Sequence, residues 1–469
     1  MTTSRLLALL GLAMGLAGCA VPHPPERVDA AAPPQWYAPL PHNGTMTDLT
    51  RWWQQFNDPL LIELIASAQT ASPTVATAAS NIEQARATRV AARAALLPTL
   101  DGSASAVRSK SVPPTPIATV VQGGLDTAWE IDVFGGNRDS ARAAQARLDS
   151  AQAGWHEARV SVAAETANSY LNLRTCERQL VVATNDARSR AETARLSDLS
   201  AKAGFTAPAN AALARASAAE SAARATQQRA QCEIEVKALV ALTGLPEPRL
   251  RQKLETRWSE PAQFALVSVA TLPAQVIAQR PDVYRAEREV AAASAEVGSA
   301  RADRFPRVSL NGSIALGRVH AQGASASLDT WSIGPLAVTV PLFDGGRRAA
   351  TVDAAQARYE EAVLLYAGRV RQAVREVEEA LVTLDSARER STDAQTAVDG
   401  YRVSFNATEA RYRSGLASLI ELEDQRRLLL AAETNLVALQ RERIAAWIAL
   451  YRAVGGGWAR PDAATVAGS

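Results

Sequence analysis

Between Gly124 and Gly136 apolar and polar side chains alternate. Leu125, Thr127, Trp129, Ile131 and Val133 fall on one side of an extended chain, and Asp126, Ala128, Glu130 and Asp132 on the other. The same period of two returns in Val308, Leu310, Gly312, Ile314 and Leu316, and in Leu336, Val338, Val340 and Leu342. Leu100, Gly102, Ala104 and Ala106 form a milder version. Gly334-Pro335 throws Leu336 out of phase with Trp331 and Ile333, as a bulge or an edge would. Each run is about ten residues, the length a tilted strand needs to cross a bilayer.

Between these strands the period changes. Proline is absent from Pro116 to Pro208 and again from Pro341 to Pro461, and Ala, Arg, Gln and Glu fill both gaps. These are strong helix formers, and from Arg138 to Ala203 only Gly154 interrupts, which predicts a rod of about 100 Å. Gly204 and Gly415 read as hairpin tips where a left-handed residue reverses the chain, and Gly244 and Gly455 as stops of the returning helices.

The chain says this twice. "LLPTLDGSASA" (from Leu96) matches "RFPRVSLNGSIAL" (from Arg304), "WEIDVFGGNR" (from Trp129) matches "VTVPLFDGGR" (from Val338), and "AAQAR" occurs at Ala143 and Ala354. Phe134 thereby pairs with Phe343 and Gly204 with Gly415. Each half predicts a helix (about 60–97 and 276–304), two strands and a long helical hairpin. A repeat this long is a duplicated domain half rather than a solenoid unit. The expected segments are a signal peptide over 1–18, a proline-rich arm over 19–51, repeat 1 over 52–248, a linker over 249–272, repeat 2 over 273–458 and a tail over 459–469.

Four strands, apolar on one face and polar on the other, cannot close a transmembrane barrel, and open sheet edges are not tolerated in lipid. Several chains must therefore pool their strands, with the helices as a second, soluble tube. The fold class expected is an α+β membrane protein.

The chain starts "MTTSRLLALLGLAMGLAGCAV". Arg5 and the apolar Leu6–Leu16 stretch make a secretory signal too short to span as a mature helix. Leu16-Ala17-Gly18-Cys19 resembles the bacterial lipobox, in which Cys19 would carry the lipid; the alternative is an ordinary signal with a chance cysteine. In lipoproteins the absence of aspartate near that end, here Val21, implies sorting to the outer membrane. Fifty Lys and Arg against 48 Asp and Glu give no general polyanion-binding charge, and no basic patch interleaved with aromatics points to nucleic acid. None of the four histidines has metal-ligand spacing with another histidine or a cysteine, and no phosphate loop, nucleophile elbow or Rossmann fingerprint occurs. No enzyme and no cofactor is expected.

Taken together, Trp52–Leu60 ("WWQQFNDPL"), Arg280-Pro281-Asp282, "SARADRFP", "FDGGR", "RYRSG" and "LYRAVGGGW" resemble the TolC-like outer-membrane factors, the lipidated OprM/NodT-type branch in particular. The resemblance runs from about Trp52 to Trp458. It implies a homotrimer with one shared barrel in the outer membrane and helical limbs forming a periplasmic tunnel. It also implies partnership with a periplasmic adaptor at the tips, Gly204 and Gly415, and with an inner-membrane pump. In OprM-like members the periplasmic end is closed just past the second hairpin tip, which places an apolar constriction at Ile420 and a charged one at Asp424 with Arg427 as its partner. An apolar ring gates by dewetting and a carboxylate ring disfavours anions. The bland alternative is a solvated face with an i,i+3 pair. The first hairpin carries Ala209 and Leu213 at the equivalent positions.

Cys176 lies 28 residues before Gly204 and Cys232 28 residues after it, so an antiparallel hairpin sets them side by side. An oxidising periplasm allows a disulfide; the alternative is two buried thiols. The second hairpin has Ala387 and Arg443 there, so only the first would be clamped. Two functions stay open: an export duct, and a lipid-anchored coiled-coil spacer of the envelope, for which bilayer-length strands have no use.

Overall fold

Period-two and period-3.6 segments become strands and helices in the computed structural model, which describes residues 21–30, 32–33, 35–38, 49–110, 117–255, 276–277, 279–458 and 460–461. Cys19 and most of the expected linker lie outside the described residues. A 3-10 helix, Leu49–Phe56, precedes α1 (Pro59–Ala71), α2 (Pro73–Ala94), β1 (Thr99–Lys110), β2 (Ile117–Ile131), α3 (Gly136–Lys202), α4 (Pro208–Thr243) and α5 (Glu247–Leu254). The second half supplies α6 (Pro281–Ala302), β3 (Arg307–Ala321), β4 (Ala324–Thr339), α7 (Arg347–Arg413) and α8 (Leu419–Ala453). α3 and α7 are each 67 residues long, and Gly154 does not break the first.

Four expectations need correction. The helix expected over 60–97 is two, because Pro73 lacks an amide proton and holds Ser72 extended (φ −69°, ψ 120°). β2 ends at Ile131, short of Val133, because Asp132 leaves the ladder to cap α3: its carboxylate accepts from the Asn137 amide at 3.2 Å and the Arg138 amide at 2.9 Å. The strands run 12, 15, 15 and 16 residues rather than ten. Residues 249–254, assigned to a linker, are helical and bury Leu250 completely.

The chain forms two compact units, and neither coincides with one repeat. One holds Ala79–Gly154 and Tyr284–Arg369 with the arm up to Ala30. Its antiparallel sheet has the order β1-β2-β3-β4, leaving β1 and β4 with one unpaired edge each. The register aligns Gly102, Leu125, Ile314 and Trp331 in one row, and Leu100, Thr127, Gly312 and Ile333 in the next. Gly334 and Pro335 together face Asn311, a bulge that returns Leu336 opposite Leu310 and Val338 opposite Val308. One face therefore stays apolar across the phase break, and it is bare: Trp331 is 75% exposed and Ile333 83%. The other face carries Asp101, Asp126, Ser313 and Ser332, with Ser103 donating to Asp126 at 2.8 Å.

Phe134 of repeat 1 stacks on Phe305 of repeat 2 at 4.9 Å, whereas Phe343, the repeat partner of Phe134, is 93% exposed, as is much of Leu97. The arm packs along α6: Arg301 donates to the Pro22 carbonyl at 2.7 Å, Ser294 donates to that of Pro24, and Arg27 approaches Glu287.

The other unit is helical, built on α1, α4, α5, α8 and the remainders of α3 and α7. Its core buries Leu61, Leu64, Leu239, Leu381 and Ile448, with Trp52 stacked on Tyr451 at 4.6 Å. Full burial of such a side chain stabilises by about 1.5–3 kcal/mol. The Arg-Pro-Asp motif is structural. Buried Arg280 bonds Asp282 and Glu376, both at 2.8 Å, and the Ala453 carbonyl at 2.7 Å, so α8 ends on a satisfied guanidinium.

Candidate functional site

The helical unit carries the candidate gate. Both hairpins turn the same way. At the first tip Phe205 N–H bonds Ser200 O at 2.9 Å and Gly204 N–H bonds Ala201 O at 3.1 Å; at the second, Leu416 bonds Arg411 and Gly415 bonds Tyr412. This paired pattern needs a left-handed residue, and Gly204 (φ 79°) and Gly415 (φ 74°) supply it. The next residue is thrust into solvent: Phe205 is 86% exposed and Leu416 71%. Sequence reasoning named the glycines but not these side chains, although an apolar residue directly after each tip glycine was the available signal.

Ser418 starts α8 by accepting from the Glu421 amide at 3.1 Å, and that start sets which residues face which way. Ile420, Asp424 and Arg427 fall on one side, four and three apart, and line an open groove of about 900 Å³ between α4 and α8. Arg427 donates to Asp424 at 3.2 Å and both are well exposed. Leu213, one of the two positions matched in the first hairpin, lines the same groove. The structure thus brings the three expected residues together on one accessible surface, with apolar and charged groups one turn apart.

One residue earlier the helix does something the sequence reading missed. Glu423 and Arg426 repeat the same spacing on the inward face. The Glu423 carboxylate accepts from Arg190, from Ser217 at 2.9 Å and from Arg426 at 2.5 Å. Arg426 also donates to Ser189 at 3.0 Å and Thr193 at 3.1 Å, and Arg190 pairs with Asp186 at 2.9 Å. Burial pulls the Arg426 guanidinium below its ordinary pKa, against the nearby Glu423 charge that raises it. α8 of the second hairpin is thereby bolted to α3 and α4 of the first. Tyr412 and Ser197 join the hairpins again through their hydroxyls at 3.0 Å.

Higher on the first hairpin, Cys176 and Cys232 are bonded, with Cα atoms 5.5 Å apart. In the second hairpin Ala387 instead packs, fully buried, with Ala394 and Leu439. Among the described residues no group of three His, Cys, Asp or Glu could hold a metal ion, and no helix is long and apolar enough to cross a membrane.

The model of the outer membrane efflux protein family matches residues 64–245 and 272–456. The chain is similar to the pyoverdine export outer membrane protein OpmQ of Pseudomonas putida, 30% identical with 98% of each chain covered. It is also similar to the solvent efflux pump outer membrane protein SrpC of Pseudomonas putida, 30% identical over 97% of this chain and 98% of the other. Among solved structures, that of the outer-membrane channel OprN superposes with a TM-score of 0.84 at 28% identity, covering 94% of this chain and 99% of that one.

Proposed function

The chain belongs to the outer membrane efflux protein family and is an outer-membrane efflux channel, and we propose that three copies of it form one passive duct from periplasm to exterior. One observation carries the stoichiometry: a bare apolar face runs over all four strands and stops at two unpaired edges. Lipid does not accept those edges, so β4 of one chain pairs with β1 of the next. Two chains would give eight strands, whose interior side chains fill; twelve strands leave an aqueous lumen lined by the Asp126 face.

The long hairpins then form the periplasmic conduit. Ile420, Asp424 and Arg427 are its periplasmic gate, a role supported by their shared groove. The exposed Phe205 and Leu416 beside Gly204 and Gly415 suit contact with a periplasmic adaptor, which links the duct to an inner-membrane pump. Cys19 carries the lipid. Support comes from the described arm: the Pro22 carbonyl is held by Arg301 at the end of α6, six residues before β3 begins at the foot of the apolar face. The spacer reading leaves that face unexplained.

The test is native mass spectrometry of detergent-solubilised protein with conductance in planar bilayers. A lipidated trimer that conducts is expected. A monomer with its sheet intact, or a trimer that never conducts, overturns the reading.

A further inference from the structure

The apolar face of the sheet does not continue to the strand tips. Counting rows away from α6, the face reads Ile131, Val308, Val338; then Trp129, Leu310, Leu336; and three rows later Ala104, Gly123 and Leu316, with Asp329 of β4 closing that row. Beyond Leu316 its chemistry changes. Arg318 aligns with Val121 and Ala106, and His320 with Thr119 and Arg108; Lys110 follows on the same side of β1. These are the only basic residues in the strands apart from Arg307 at the foot, which pairs with Asp303. The opposite face at the same level is uncharged, with Val107, Val120 and Val319 in one row. One carboxylate, Asp329, stands on the basic side, diagonal to Arg318.

Their height is what gives these charges meaning. Val308 to Leu316 is eight residues, about 27 Å along the strand, or about 21 Å of vertical rise at a 40° tilt. Arg318 stands about 26 Å up and His320, in the row of Arg108, about 31 Å, against an apolar band of about 25 Å in such barrels. The basic groups therefore begin where hydrocarbon ends, and on the lipid side alone. Across the β1-β2-β3 spacing Arg108 and His320 are about 10 Å apart, close enough to share one anionic headgroup. Arg108 and Arg318 have no ion-pair partner among the described residues, and both are exposed. A merely solvated strand end would spread its charges over both faces.

We propose that Arg108, Lys110 and Arg318, with His320 beside them, form a rim that binds the phosphate groups of outer-leaflet lipid headgroups and fixes the height of the barrel. Arginine suits this, since its fork matches phosphate oxygens. The proposal rests on the lipid-facing orientation inferred above.

The test uses the full trimer in a neutral detergent with lipid A, a bis-phosphorylated glycolipid, and with the same lipid stripped of phosphate. Wild type should retain the phosphorylated form in native mass spectra, and the triple variant Arg108→Gln, Lys110→Gln, Arg318→Gln should retain it about tenfold less or weaker still. Removing three charges from α7 instead (Arg371→Gln, Arg375→Gln, Arg388→Gln) should change nothing. Equal retention of the phosphate-free lipid by wild type, or undiminished retention by the triple variant, overturns the rim while conductance of the same samples leaves the channel intact. A wild type that forms no pore removes the lipid-facing premise and takes both readings with it.

Discussion

Replacing Glu423 by alanine should bias the channel open. The carboxylate is the shared acceptor of Ser217, Arg190 and Arg426, and the two arginine side chains are 9% and 4% exposed. Removing one partner of a buried ion pair costs about 3–5 kcal/mol. Two features lower that figure: Arg190 keeps Asp186, and Glu423 retains 18% exposure. About 2–3 kcal/mol remains, and at 1.4 kcal/mol per decade a bolt made only in the closed arrangement shifts closed against open by roughly 30- to 150-fold. Glu423→Gln keeps one acceptor for Ser217 and should fall between. The assay is single-channel recording of reconstituted trimers, with trimer yield as the folding control. Wild-type open probability in the alanine variant, at normal trimer yield, would refute the bolt.

Asp424→Ala and Arg427→Ala should raise conductance without changing trimer stability, because both groups are solvated; unchanged conductance in both returns them to an ordinary helix surface. Reduction of Cys176–Cys232 should destabilise the first hairpin by up to about 4 kcal/mol for its separation of 56 residues, read as faster proteolysis between the cysteines; identical digestion with and without reductant contradicts this. Gly415→Ala should cost about 1–2 kcal/mol, since open space surrounds that left-handed position. Gly455→Ala should cost clearly more, because its added carbon would run into the Gln279 carbonyl; equal melting shifts for the two variants would show that the backbone there yields.

The strands were legible because their environment is two-sided. Trp331, Ile333 and Leu336 announce a phase break in the bare sequence, and the bulge opposite Asn311 is its resolution. The hairpin tips were legible because only glycine reverses a helix so cheaply. What stayed hidden depends on which face turns inward. Glu423–Arg426 and Asp424–Arg427 have the same spacing, and nothing local distinguishes a buried bolt from a solvated pair. Only the packing of α8 on α3 and α4 separates them. Asp132 misled for a related reason: it sits in perfect alternation with Glu130, yet capping α3 outbids one more rung of the ladder. The membership of Pro73 in a helical run hid the break before it, since proline is tolerated at a first helical turn and the run simply restarts.

The stack of Phe134 on Phe305 is a seam between the two repeats of a single chain, and β2 meets β3 along the same seam. Phe343 and Leu97 are the repeat counterparts of those two rings and stand uncovered. In a closed ring every repeat has a neighbour on each side, one joined to it by peptide and one not. The seam made within the chain is then a template for the seam made between chains. Phe343 and Leu97 are two halves of an unmade stack, one held out toward each neighbouring copy.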